Sequence, residues 1–161
     1  MNIIIPSIFN VTSADEMYKI TNKLFPKVDI AILSAAVSDY KPKQFVNHKI
    51  KKEINRDLNI ELVSNVDILN HLGKIKKENQ LLIGFALESD NEIDNAKMKL
   101  NNKNLDAIVL NSLNDKGAGF NNDTNKITFI NNKNEIIKFK LKSKLEVSKD
   151  IFNEIIKLVH V

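Results

Sequence analysis

Asp29-Ile30-Ala31-Ile32-Leu33-Ser34-Ala35-Ala36-Val37 is a nearly unbroken run of apolar and small residues, and Ser38-Asp39-Tyr40-Lys41-Pro42-Lys43 follows it directly. A run this short and this continuous predicts a strand covered on both faces better than it predicts an amphipathic helix. In open α/β sheets, ligands bind beyond the carboxyl ends of the strands. The segment after Val37 is therefore placed to hold a polyanion through Ser38, Asp39 and the lysines behind them. The same residues also read as a polar loop after a core strand, and the stretch alone leaves both readings open.

The flanking sequence alternates helix and strand signals. Ser13-Ala14-Asp15-Glu16 has the form of a capping box opening a helix to about Phe25, in which Met17, Ile20 and Leu24 recur at helical spacing. Leu58, Ile60 and Leu62 alternate as in a half-buried strand. Ser64-Asn65-Val66-Asp67 offers a second cap, with Ile68, Leu69, Leu72 and Ile75 marking the helix behind it. Leu81 to Ala86 reads as a short buried strand. Asn91 to Asn102 reads as a helix with Ile93, Ala96 and Leu100 inward, and Asp106 to Leu110 as another strand. Repeated strand and helix units imply a mostly parallel sheet flanked by helices. The pattern then changes. Lys126 to Ile130 and Glu135 to Phe139 are strand-like runs around Asn131-Asn132-Lys133-Asn134, a hairpin signal. Lys144 to Val159 closes the chain as a helix, with Leu145, Ile151, Ile155, Ile156 and Val159 at mostly helical spacing.

Composition bounds the function. The 161 residues, 43% apolar and 27% charged, predict one folded domain and argue against wholesale disorder. The chain has no cysteine, which excludes disulfides and thiol chemistry. No stretch approaches the ~18 apolar residues of a spanning helix, and Asn2 to Pro6 lacks the form of a secretory signal, so a cytoplasmic protein is expected. The net charge of +4 comes from 24 basic residues interspersed with 20 acidic ones. That mixture favours a local anion pocket over a general nucleic-acid surface. Among the chemistry-bearing residues, His48, His71 and His160 lack metal-ligand spacing. Gly117-Ala118-Gly119-Phe120 lacks the spacing and Lys-Ser/Thr ending of a phosphate loop and reads as a turn.

Six blocks stand in one order: AAVSDYKPK (35–43), KIKK (49–52), NVDIL (65–69), GFALE (84–88), NAKMKLNNKNLDAIVLNS (95–112) and GAGFNNDTNKITFI (117–130). In this order they resemble phosphopantothenoylcysteine synthetase, the ligase half of the bifunctional coenzyme A biosynthesis flavoprotein. The resemblance runs from about Val11 to the C-terminus. It implies a Rossmann-like α/β domain with a C-terminal β-hairpin extension. It also implies ligation of 4′-phosphopantothenate to cysteine through an acyl-nucleotidylate, with CTP as co-substrate, ATP as an alternative, and Mg²⁺. A homodimer is expected, and no flavin on this chain.

By the same resemblance Lys49 matches the nucleotide-contacting lysine of a mobile flap and is the expected catalytic cation. Its compact charge on a flexible stem suits developing phosphate charge. Lys49, Lys51 and Lys52 also read as a solvated loop. Val66, Asp67, Ile68 and Leu69 match the nucleotide-binding turn, with Val66 where the family has proline. Phe85 matches a nucleotide-contacting phenylalanine, although core packing is its plain reading. Lys99 and Lys103 lie four apart on one helical face if the helix persists, and they match nucleotide-contacting lysines. Asp39 is the expected ribose or metal-organising group. The family pattern opens with a strand, a glycine-rich turn and a helix that do not precede Met1 here. The expectation is therefore one incomplete domain over residues 1–161, with the glycine-rich loop supplied by a separate chain or segment. The alternative is a non-catalytic nucleotide-binding or interaction fragment of a split or truncated synthetase.

Overall fold

The computed structural model describes residues 6–51, 58–118 and 122–159. Lys52, Gly119, Phe120, His160 and the segment Asn2 to Ile5 lie outside those residues. The described chain runs α1 (Ala14–Leu24), a 3-10 turn (Phe25–Lys27), β1 (Ile30–Leu33), β2 (Tyr40–Pro42), β3 (Leu62–Ser64) and α2 (Ile68–Ile75). It continues through β4 (Leu81–Glu88), α3 (Glu92–Asn102), β5 (Ala107–Ser112), β6 (Thr124–Asn125), β7 (Ile127–Asn131), β8 (Ile136–Lys138), β9 (Lys142–Ser143) and α4 (Lys144–Val159).

Five strands form the main sheet in the order β1-β4-β5-β7-β8. β1, β4 and β5 are parallel, with Ile32 opposite Ile83 and Phe85 opposite Val109. β7 joins β5 antiparallel, and the hairpin to β8 ends the sheet. The expected α/β fold with a C-terminal hairpin is therefore present. β2 and β3 pair as a separate antiparallel ribbon, and β6 pairs with β9.

Strand periodicity divides the core in two. Leu82, Ala86, Ile108 and Leu110 face a cluster with Ile68 and Leu72 of α2 and Ala96 and Leu100 of α3. Ile83, Ala107, Val109 and Phe129 face the other side, against Val147, Ile151 and Ile155 of α4. Two glycines set the spacing of the first layer. A Cβ at Gly73 would lie 1.9 Å from the carbonyl oxygen of Lys103, so only glycine lets α2 meet the end of α3. A Cβ at Gly84 would lie 2.6 Å from Cδ2 of Leu69, so β4 admits the first turn of α2.

Three local expectations are corrected. The 29–37 run gives only the four residues of β1. Its Ile30 and Ile32 are 37% and 47% exposed, because β1 is the outer strand of the sheet among the described residues. In the 58–62 segment, Leu58 and Ile60 stay exposed and only the end enters β3. On α4, Ile151 and Ile155 are core, but Val147 replaces the exposed Leu145 in the buried stripe, and Val159 also lies outside it. The α1 cap is a variant of the expected box. Ser13 Oγ accepts from the Glu16 N–H at 3.2 Å, while Glu16 Oε2 reaches past Ser13 to the Thr12 N–H at 2.7 Å.

Candidate functional site

The carboxyl ends of β1 and β4 open into a cavity of about 260 Å³ bounded by the start of α2 and by α3. The chain leaves β1 at Leu33 and passes Ala35, Ala36, Val37, Ser38 and Asp39 along the cavity wall. Its path is fixed by the turn ahead of α2. The Asn65 N–H donates to the Asp39 carbonyl at 2.8 Å, and Asn65 Nδ2 donates to the Ser38 carbonyl at 2.8 Å.

Asp67 is the N-cap of α2, with backbone φ −72° and ψ 95°. Its Oδ1 accepts from the Asn70 N–H at 3.0 Å, and its Oδ2 lies 2.9 Å from Nζ of Lys103. Burial pushes the Asp67 carboxyl up. The Asn70 N–H and the Lys103 ammonium pull it down, and the net value is below the ordinary one. The free N–H groups of the first turn of α2 also point toward this end, which favours an anion.

From α3 come Lys99 and Lys103. The helix ends at Asn102, yet the Lys103 N–H still bonds to the Lys99 carbonyl at 3.1 Å, so both residues stay on one face. Helical side chains tilt toward the helix N-terminus. Both stems therefore climb toward the carboxyl end of the sheet. Lys99 Nζ meets Glu88 Oε1 at 2.5 Å. Phe85 projects to the α4 side of β4, half-buried against the second core, and the residue also lines this cavity at the strand end. It also lines a neighbouring cavity of about 470 Å³ with Ser34, Asn111, Asn125 and Lys144.

Residues 5–159 match the DNA/pantothenate metabolism flavoprotein C-terminal domain family. The chain belongs to that family. Within it, 154 residues are 51% identical to a protein from an unknown prokaryotic organism named cysteine/cysteine sulfinic acid decarboxylase, covering 96% of this chain and 43% of that one. The coenzyme A biosynthesis bifunctional protein CoaBC of Borreliella burgdorferi is 46% identical over 147 residues, 90% of this chain and 36% of its own. The crystal structure of the C-terminal domain of a CoaBC superimposes with a TM-score of 0.74 at 35% identity, covering 93% of this chain and 64% of that chain. This chain thus spans less than half the length of the curated relatives it matches. The resemblance to the synthetase part of these flavoproteins, drawn from the six sequence blocks, agrees with these matches.

The flavoprotein-family fold brings together Asp39, Val66, Asp67, Ile68, Leu69, Phe85, Lys99 and Lys103, all of which line the one cavity. Lys49 is not among its lining residues and is exposed in the segment between β2 and β3. Two residues escaped the sequence reading. Glu88 pairs with Lys99 from the end of β4, and its place in the GFALE block was the available signal. Asn65 lines the cavity, and its Oδ1 is buried with no hydrogen-bond partner among the described residues. Among the described residues, no group of three or more His, Asp or Glu side chains is arranged to hold a metal ion. No helix there is long and apolar enough to cross a membrane.

Proposed function

We propose that the cavity between α2 and α3 binds a nucleoside triphosphate for the ligation of 4′-phosphopantothenate to cysteine in coenzyme A biosynthesis. The supporting observation is the convergence of Lys99, Lys103, the α2 N-terminus and Phe85 on one cavity at the carboxyl end of the parallel strands. Two cations and free N–H groups suit phosphates, and an aromatic ring suits a base or sugar face. CTP is the proposed nucleotide, with ATP as the competitor. Mg²⁺ belongs to the substrate complex, since phosphate oxygens supply most of its ligands in such sites.

In this reading the substrate carboxylate attacks the α-phosphate, pyrophosphate leaves, and the cysteine amine displaces the nucleoside monophosphate from the acyl carbon. Lys99 and Lys103 orient the phosphates. Asp39 contacts the ribose. Lys49 reaches the reacting phosphate in the substrate complex, and there it neutralises developing charge. The neighbouring 470 Å³ cavity, across Phe85, accommodates the acyl substrate. The decarboxylase name of one relative describes a chain of which this one matches 43%, and a lysine-lined cavity supports nucleotide-dependent ligation better.

The synthetase domain is proposed to work as a homodimer, with the β7–β8 hairpin contributing a strand edge at the interface. Sedimentation at high micromolar concentration tests this: a discrete dimer is expected, and a strict monomer overturns it. The nucleotide reading is tested by calorimetry of the chain with Mg·CTP and Mg·ATP. Assays of pyrophosphate and amide formation follow, with the upstream part of a bifunctional relative supplied in cis or in trans. Binding without turnover under those conditions favours the alternative, a nucleotide-binding module that performs no ligation.

A further inference from the structure

Glu88 ends β4 on the face covered by α2 and α3, and its side chain is 11% exposed against 42% for Lys99. Its Oε1 holds Lys99 Nζ at 2.5 Å, and its Oε2 lies 3.4 Å from Nδ2 of Asn95, one turn earlier on α3. That amide is itself fixed to the Asp90 carbonyl at 2.9 Å. Lys99 lines the cavity and Glu88 does not; it stands behind the lysine. A buried carboxylate that loses its cation becomes an uncompensated charge, which costs far more than parting an exposed pair. Leaving Glu88 to meet a ligand would therefore be costly for Lys99. An ammonium can meet a ligand without leaving, because it carries three N–H donors and one bond leaves two for another anion.

We propose that Glu88 is a positioning residue, which tethers the ammonium of Lys99 at the cavity wall so that it contacts an anionic ligand while still bonded to its carboxylate. The proposal rests on the nucleotide reading above for the identity of that anion. Lys103 behaves differently. Its partner Asp67 is 45% exposed, so water compensates that carboxylate when Lys103 turns to a phosphate. Glu88 also has an opposing effect, since its negative charge repels the phosphates. The sign of a neutralising substitution therefore discriminates. If Glu88 were a counter-ion alone, removing its charge would tighten anion binding; if it positions Lys99, removing it weakens binding.

The test compares wild-type chain, Glu88→Gln, Glu88→Asp, Lys99→Ala and the Glu88→Gln/Lys99→Ala double variant. Competitive acetylation of the ligand-free proteins, read lysine by lysine by mass spectrometry, is the first measurement. Lys99 is expected to become more reactive by roughly threefold or more in both Glu88 variants relative to the other lysines, because a freed ammonium samples more of solvent. Glu88→Asp keeps the charge and serves if Glu88→Gln folds poorly. A role limited to stability would move the melting temperature without this selective change.

Calorimetry with Mg·CTP, Mg·ATP and inorganic triphosphate is the second measurement. Affinity is expected to fall roughly fivefold or more in Glu88→Gln, with no added loss when Lys99 is already alanine. Unchanged Lys99 reactivity, or equal or tighter binding by Glu88→Gln, overturns the proposal. If the wild-type chain binds none of the three probes while Lys99 reactivity still rises in the Glu88 variants, the nucleotide reading fails and the tether is supported.

Discussion

The two ends of the parallel strands hold the same chemistry, a lysine against a carboxylate, and use it in opposite ways. At the amino end, Lys76 Nζ lies 2.7 Å from Asp106 Oδ2, with side chains 10% and 12% exposed. The same oxygen accepts from the Leu82 N–H at 2.7 Å, and the Asp106 carbonyl accepts from the Asn132 N–H at 2.9 Å. That pair is closed, and it ties α2, β4, β5 and the hairpin turn together. At the carboxyl end the Lys99–Glu88 and Lys103–Asp67 pairs each keep one half-open member facing the cavity. Burial of both partners makes a pair structural. Burial of one or neither leaves a charge that a ligand can share.

Removing Lys76 is the severest way to test that contrast. Lys76→Ala strands a buried carboxylate and is expected to lower unfolding free energy by about 3–5 kcal/mol, as read by urea denaturation. Nucleotide affinity of the remaining folded protein should not change, and a parallel loss of affinity would erase the distinction between the ends. Lys49 comes next. With the upstream segment of a relative supplied, Lys49→Ala is expected to lower turnover by about a hundredfold or more with an unaltered melting temperature. Wild-type turnover would assign Lys49 to the solvated surface. Lys103→Ala should weaken Mg·CTP binding by roughly 1.5–3 kcal/mol. Its effect on stability should stay under about 1 kcal/mol because the pair is partly exposed. The reverse pattern would make the Lys103–Asp67 pair resemble Lys76–Asp106.

The smallest effect is in acid. The folded value of the Asp67 carboxyl is depressed, so its contribution to stability is complete above the ordinary carboxylate pKa, about 3.9, and is lost as pH falls through the lower folded value. Asp67→Asn keeps a capping oxygen but cannot titrate. Its melting temperature should fall less steeply than that of the wild type on acidification below about pH 4. Identical slopes would mean that the Asn70 N–H and the Lys103 ammonium together give the ionised Asp67 carboxylate no net preference in the folded chain.

Much of this arrangement is legible in the sequence, because its residues sit on regular elements. A spacing of four put Lys99 and Lys103 on one face, the cap pattern placed Asp67 at a helix start, and the end of a strand placed Asp39 near the same rim, whereas Phe85 reads as core from its position and joins the site only through the family resemblance. Lys49 lies in a long segment between two short strands, where spacing gives no direction. The partners of the lysines were not legible either. Glu88 meets Lys99 because β4 and α3 pack closely, and tertiary packing of that kind leaves no periodic signature. The shortness of β1 has a related cause: an apolar run records what a strand is able to bury, whereas its place at the edge of the sheet decides what it does bury. On α4 the middle of the stripe, Ile151 and Ile155, follows the period, while at its first turn Val147 is buried in place of Leu145.

Phe85 adds a consequence of its own. Phe85 lines both chambers, so an occupant that shifts this residue from the first reshapes the second. Whatever free energy one occupant spends in fixing the residue is available to the other, in equal measure in both directions. A single residue thereby couples the two chambers by the same amount in whichever order two molecules arrive.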